Sequence, residues 1–293
     1  MPPPQTQPEQ SAPAGNNPGG AVAAVDPATV TFLMVGCQRC GTTWVDAALR
    51  EHPQIFLPAQ KQTYFFDRNY ERGIGWYLEN FRQAGAAYGA VGEIATGYSL
   101  PGAVERMAEH FPHIKLIMAV RHPVDRAYSN YQVRKQESGW ASFEEAIERD
   151  PDLVDRGMYM KQIDSILRHY KKEDLLVLFY EDLASDDRAY LKSILSFLGV
   201  DGDFESNQIG RQRNSAMYPR TRRVMTRLGL KPVLNAVSRS ALGDAIRSAK
   251  KRWGGRGYKA VAPATRSRLM ETFRQDTRKL AEFTGRDLSH WEA

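Results

Sequence analysis

The sequence predicts an α/β protein, a three-layer α/β/α sandwich around a central, mainly parallel sheet. Three observations predict it. The runs Val30–Val35, Lys115–Val120 and Leu175–Tyr180 are apolar without polar alternation, as expected of strands buried on both faces. Segments of helical period lie between them, and strands alternating with helices imply βαβ units. The first run leads through a glycine-edged loop, Gly36 to Gly41, into a helical pattern.

The elements follow in order. Met1 to about Asp26 is Pro, Gly, Gln, Asn and Ala with almost no large apolar side chain. Such a stretch buries too little to offset its ordering entropy, so residues 1–27 are expected to be a disordered tail. Residues 28–293 are expected to form one domain, a size ample for a core. Helices are expected over Thr42–Glu51, Ile74–Arg82, Gly102–His110, Asp125–Gln136, Ser142–Glu148, Met158–His169 and Arg188–Leu198. Ala90–Glu93 is a further strand candidate. A last helix is expected over Ala262–Phe283, with Pro263 at its start and Gly285 after it. Ligands of parallel sheets sit at the carboxyl ends of the strands. Here those ends are Gly36, Glu93 and Arg121, which nominates one shared site.

The segment Arg211–Arg256 differs from the rest. It holds 13 Lys/Arg and one acid, Asp244, a local charge of +12 within a chain of net +6. The remainder is therefore net acidic. The apolar residues of this segment fit amphipathic helices, and a basic wall for a cofactor or acidic acceptor is the expected use. Peripheral contact with an anionic membrane surface is the weaker option. A nucleic-acid partner is not expected, because interleaved aromatics and a recognised module are missing. No apolar run nears the roughly 20 residues of a membrane span. The N-terminus lacks the basic start and apolar block of a secretory signal, so a cytoplasmic, reducing location is expected. Cys37 and Cys40 form the one C-x-x-C pair. Without a second pair or clustered His, a zinc site is not expected, and the cysteines read as small loop residues.

Strand, tight loop and helix aim backbone N–H groups and the positive end of a helix dipole at an anion. Gly36-x-x-x-x-Gly41-Thr42-Thr43 is close to a Walker A loop, but Thr42 stands where that loop has Lys. The basic residue is Arg39 instead. A triphosphate–metal site is poorly served, and a smaller anion fits better: one phosphate with its transferable group, on the amides of Cys40–Thr43, the two Thr hydroxyls and Arg39. A second constellation follows Lys115–Val120. Arg121 ends the strand, Pro123 and Asp125 suit a helix start, and Ser129 falls in the first turns. An Arg and a Ser so placed can grip a phosphate with charge and a hydroxyl donor.

Together, GCQRCGTTWV and AVRHPVDRAYSNY resemble the signature pair of sulfotransferases that use 3′-phosphoadenosine 5′-phosphosulfate (PAPS). Lys61-Gln-Thr-Tyr-Phe-Phe-Asp67 and Gly92-Glu93-Ile-Ala-Thr-Gly-Tyr98 are similar to two further segments of that family. So are Tyr180-Glu181-Asp182-Leu183 with Phe197-Leu-Gly199, and the end, Leu280–Trp291. The pattern is nearest to bacterial members and the heparan sulfate, Golgi-type branch. The resemblance implies a P-loop NTPase-like fold and transfer of a sulfuryl group from PAPS to a hydroxyl of a glycan, lipid or small natural product, with no metal.

It also implies roles. Arg39, Cys40, Gly41, Thr42, Thr43 and Trp44 would line the 5′-phosphosulfate, with Arg39 in the place usually held by Lys. Arg121 and Ser129 would bind the 3′-phosphate. Gly255 and Arg256 resemble a late loop closing on it, with Arg213 and Asn214 nearby. Glu93 would be the catalytic base, with Arg39 stabilising the leaving oxygen. Lys61 and Tyr64 would face the acceptor, Lys61 steadying the sulfuryl group or an acidic acceptor. His122 is the competing base. Two positions beside Glu93 also depart from the family pattern, Ile94 and Gly97. The competing functions are a P-loop small-molecule kinase, and a basic anion- or membrane-binding protein without catalysis.

Overall fold

The structure, a computed structural model, describes residues 24–211 and 261–292. Most of the predicted tail and nearly all of the basic segment, including Arg213, Asn214, Gly255 and Arg256, lie outside the described residues.

The centre is a five-stranded parallel sheet: β1 (Phe32–Gly36), β2 (Ile55–Phe56), β3 (Ala90–Ile94), β4 (Lys115–Val120) and β5 (Leu175–Phe179), in the order β2-β3-β1-β4-β5. Every residue of β1 and β3 is buried. That is what unalternating apolar runs require, and helices on both faces supply the cover. The architecture is the three-layer, P-loop-like α/β/α fold. Residues Phe32 and Leu33 of β1 stand beside Gly92 and Glu93 of β3 on one side and beside Lys115 and Leu116 of β4 on the other. The central strand β1 therefore delivers its following loop between the ends of β3 and β4.

The helices are α1 (Thr42–Leu49), α2 (Phe65–Arg68), α3 (Gly73–Leu78), α4 (Ala103–His110), α5 (Pro123–Ser138), α6 (Phe143–Arg149), α7 (Asp152–Asp155), α8 (Tyr159–Leu167), α9 (Tyr180–Ser185), α10 (Asp187–Leu198) and α11 (Pro263–Thr284). Local chemistry sets several boundaries. Pro123 opens α5 and Pro263 opens α11, where the missing N–H costs nothing. Ser142 caps α6 by accepting from the Glu145 N–H (3.1 Å), and Asp186 caps α10 from Ala189 (2.9 Å). Helices α10 and α11 both stop at a left-handed glycine, Gly199 and Gly285.

Strand and helix positions follow the sequence expectations closely, with four additions. Strand β2 and helices α2, α7 and α9 are short, and elements of two to six residues carry too little periodicity to be read. The first strand starts at Phe32 rather than Val30, because Val30 closes the turn Pro27–Thr29 with its own N–H.

Two apolar clusters hold the elements together. The larger wraps both faces of the sheet. The smaller joins α5, α6, α7 and α11 through Val124, Tyr131, Phe143, Leu153, Leu269 and Phe273. Arg126 is fully buried on α5, its guanidinium donating to the Leu153 carbonyl. Among the described residues no helix is long and apolar enough to cross a membrane.

Candidate active site

After β1 the chain turns through Cys37–Gly41. The Cys37 N–H donates to the Ala119 carbonyl of β4 (2.7 Å), which fastens the loop to the neighbouring strand. Arg39 (φ 74°) and Gly41 (φ 87°) are both left-handed. Gly41 is required twice over. Its φ disfavours any side chain, and a Cβ there would stand 2.7 Å from Leu183 and 3.2 Å from Tyr180 of α9. Helix α1 then starts with no side-chain cap. The Trp44 and Val45 N–H groups donate to the Gly41 carbonyl (2.9 and 3.2 Å), which leaves the Thr42 and Thr43 N–H groups at the start of the helix for an outside acceptor such as an anion.

Two loop residues differ from expectation. The Cys40 N–H donates back to the Cys37 carbonyl (3.3 Å) and its thiol to the Gln38 carbonyl (3.7 Å), so Cys40 closes the turn rather than facing a ligand. Trp44 faces the core. Its indole N–H donates to the Gln208 carbonyl (3.2 Å), and its ring lies edge-on to Tyr190 at 6.1 Å. A large apolar ring one turn into α1 gains more from that burial than from solvent-facing ligand contact. Both cysteines are free and buried.

The β1–α1 loop and the β4–α5 junction meet through side chains. Arg39 Nε donates to Ser129 Oγ (3.1 Å), and Arg121 Nη1 reaches the Arg39 carbonyl (3.5 Å). Arg121 stacks on the Tyr180 ring at 4.7 Å. Its own carbonyl accepts from the buried Tyr159 hydroxyl (2.7 Å), which fixes the backbone where β4 ends. A cavity of about 350 Å³ opens beside Arg121, lined also by Asp125, Tyr180, Glu181, Ala184 and Ser185. Two arginines and a serine hydroxyl at the mouth of a strand–loop–helix turn offer an anion both charge and directed donors.

His122 does not face this loop. It is buried, with Nε2 3.3 Å from Arg266 of α11 and its ring 5.9 Å from Trp291. Burial first, with Arg266 adding, holds its pKa below the usual imidazole value, while Asp125 opposes. Arg266 in turn pairs with Asp125 at 3.0 Å. The C-terminal helix thus backs the β4–α5 junction, a contact across more than 140 residues that no local pattern signals.

On the other side of β1 stands Glu93. It is 0% exposed. Its Oε1 accepts from the Thr63 N–H (2.5 Å) and its Oε2 from the Tyr98 hydroxyl (3.1 Å), rather than pairing with Arg39 or Lys61. Burial pushes its pKa up to about 7, with the Thr63 and Tyr98 hydrogen bonds acting against the rise. Tyr98 also accepts from the Phe65 N–H (2.9 Å) and meets Thr63 Oγ1 (3.0 Å). Glu93 and Tyr98 together hold the segment from Thr63 to Phe65.

That segment carries Lys61 and Tyr64 to the site. Lys61 Nζ donates to Thr43 Oγ1 in the first turn of α1 (3.2 Å). Burial, with Arg50 and Arg39 adding, lowers its pKa, and Asp46 opposes. Tyr64 is left-handed (φ 55°), half-buried, and covered by the Arg68 guanidinium at 4.9 Å. Sequence reasoning missed Tyr159, Tyr180 and Arg266 as supports of the site. Among the described residues no cluster of His, Cys, Asp or Glu could hold a metal ion.

The family model described as "Sulfotransferase domain" matches residues 30–226, a span that includes the loop, Glu93, Arg121 and Ser129. The chain belongs to the sulfotransferase family. Its relatives include the mouse (Mus musculus) protein named heparan sulfate glucosamine 3-O-sulfotransferase 3A1, 26% identical over 96% of this chain and 72% of the relative. The human (Homo sapiens) protein of that name is 27% identical over 64% of this chain and 52% of the relative. The alignments thus span about 72% and 52% of the length of these two relatives. A solved sulfotransferase from Alicyclobacillus acidocaldarius superposes with a TM-score of 0.66 at 23% identity, covering 90% of this chain and 99% of that one. This likeness concerns the fold.

Proposed function

We propose that this sulfotransferase takes its sulfuryl group from PAPS and transfers it to a hydroxyl of a glycan, lipid or small natural product. The observation that carries the donor is the meeting of Arg39, Arg121 and Ser129 across two loops. One phosphate satisfies the α1 amides. A second phosphate suits the Arg121–Ser129 pair. A donor with phosphates at both its 3′ and 5′ positions uses both sites at once, which ATP does not. Gly41, Thr42 and Thr43 supply the 5′ cradle, and the Tyr180 side of the cavity receives the rest of the nucleotide. A hydroxyl acceptor is supported by the glycan-directed names of the relatives.

The reaction is one in-line displacement. The acceptor oxygen–sulfur bond forms as the bond from sulfur to the bridging oxygen breaks. The electron pair stays on adenosine 3′,5′-bisphosphate, and the hydroxyl proton leaves to solvent. Charge spreads over the sulfuryl oxygens much as in phosphoryl transfer, so positioned cations and amides supply most of the acceleration.

The test is a pair of measurements on the full chain. Adenosine 3′,5′-bisphosphate is expected to raise the melting temperature where ATP with Mg²⁺ does not. Mass spectrometry after incubation with PAPS and a panel of sugars, lipids and phenols is expected to show a gain of one sulfuryl group. Stabilisation by ATP with Mg²⁺ alone points to a kinase and ends the donor reading.

A further inference from the structure

The loop's basic residue and the segment across from it divide the work in a way the motif does not show. Arg39 turns to one side. Its Nε donates to Ser129 Oγ, which puts that edge of the guanidinium between the two loops, beside Arg121, whose Nη1 reaches the Arg39 carbonyl. Lys61 enters from the other side. It reaches Thr43 Oγ1 at 3.2 Å, beside the uncapped amides of α1 where the 5′ group is expected. Of the two, Lys61 lies on the Glu93 side of β1, on the segment that the Glu93 carboxylate holds through the Thr63 N–H, away from the Arg121–Ser129 pair.

We infer that Lys61, rather than Arg39, is the catalytic cation that meets the transferring sulfuryl group, and that Glu93 is the positioning residue that holds Lys61's segment in place. The inference rests on the PAPS reading above. The residue chemistries fit this division. A planar guanidinium fork matches a stationary phosphate, whereas an ammonium is a compact charge that follows oxygens whose positions change during transfer. Partial burial strips the ammonium of some of its water, and Arg50 and Arg39 each repel it more weakly than Asp46 attracts it, so an arriving anion gains more from it than from a fully hydrated surface lysine.

Glu93 fits positioning better than proton abstraction. Both of its oxygens are engaged, by the Thr63 N–H and the Tyr98 hydroxyl, and neither faces solvent. Thr63 lies two residues from Lys61 and adjacent to Tyr64, so the carboxylate fixes the backbone from which both side chains project. Gln at this position keeps an acceptor for the Thr63 N–H and a group able to meet the Tyr98 hydroxyl.

The experiment uses the full chain and two readouts that need no known acceptor. One is calorimetric binding of adenosine 3′,5′-bisphosphate, which lacks the sulfuryl group. The other is release of that product from PAPS with water as acceptor, followed across pH. Lys61→Met is expected to slow release about 100-fold, the size of a lost transition-state donor, with bisphosphate affinity within about threefold. Lys61→Arg should recover part of the rate. Arg39→Met is expected to weaken the bisphosphate at least tenfold. Glu93→Ala, which removes both acceptors, should slow release much as Lys61→Met does, and Glu93→Gln, which keeps both partners, should restore the rate with an unchanged pH profile, since removing a general base costs roughly 100-fold or more.

Lys61→Met release within threefold of the unaltered chain overturns the catalytic assignment. So does a loss of bisphosphate affinity as large as the loss of rate. A Glu93→Gln chain that folds and binds bisphosphate but loses its rate and the limb near pH 7 makes Glu93 the base instead. Failure of the unaltered chain to bind bisphosphate overturns the donor reading and this inference with it. Normal binding beside an unaffected Lys61→Met rate overturns the inference alone.

Discussion

The two halves of the site are built differently. On the β4 side, the anion cluster is assembled by residues at strand ends and helix starts: Arg39, Gly41, Arg121 and Ser129. Each sits where local backbone geometry places it, and the side chains need only meet. On the β3 side, Lys61 and Tyr64 are carried by a segment with little regular structure, held by a buried carboxylate and two hydroxyls. The first half depends on backbone conformation and charge. The second depends on polar groups taken out of water, whose worth comes from complete pairing. The comparison teaches that the two halves rest on different physics, so on the proposed reading donor binding and sulfuryl presentation are separable by substitution.

The largest effect expected is at Gly41. Gly41→Val forces a β-branched side chain into left-handed backbone against Leu183 and Tyr180. A loss of roughly 3 kcal/mol or more is expected in chemical denaturation, together with loss of bisphosphate binding. A stable Gly41→Val chain that binds normally would break the claim that the first half rests on backbone geometry.

Next is the buried half. The Glu93 pKa stands at about 7 in the folded chain against a usual 4.5. The folded state therefore holds a proton that the unfolded state has released between these values. Stability is fully present below pH 4.5 and falls as pH rises through 7, by up to about 3 kcal/mol. Glu93→Gln should remove that slope, measured as urea midpoints at pH 5 and pH 8. An unchanged slope would show that Glu93 is not the group whose proton is linked to folding.

Arg121→Met comes third. Loss of a charge-assisted contact to phosphate should weaken adenosine 3′,5′-bisphosphate by roughly 10- to 100-fold in calorimetry, with the melting temperature of the free chain little changed. Equal weakening of bisphosphate by Glu93→Gln would erase the distinction between the halves. The smallest effect is at Trp44. Trp44→Phe gives up the hydrogen bond to the Gln208 carbonyl. About 1 kcal/mol of stability should be lost with bisphosphate affinity intact, which separates core from cofactor contact inside the loop motif itself.

The legibility of the site follows the same division. Gly36, Gly41, Arg121 and Ser129 are readable because a parallel strand must end where its apolar run ends, and a helix must start near a glycine or proline. Trp44 and Cys40 lie within the same motif, yet Trp44 turns into the core and Cys40 closes the loop on its own backbone. Spacing along the chain does not say which face of a tight turn a side chain takes. Glu93 was legible as a strand-end carboxylate, but its partners were not, since Thr63 and Tyr98 reach it through three-dimensional packing. Arg266 and Tyr159 carried no local signal at all.

The sequence by itself determined the parallel α/β sheet, the anion loop and the strand-end arginine. These follow from apolar runs, glycine placement and helix-start chemistry, all of which act within a few residues. Only the tertiary structure decided that Arg39 pairs with Ser129, that Lys61 reaches Thr43, and that Glu93 is sealed between Thr63 and Tyr98. Those contacts join residues 18 to 90 positions apart, apart from the Glu93–Tyr98 pair at five. They depend on which buried polar groups find partners once the core closes, and that is a property of the packed chain rather than of any stretch within it.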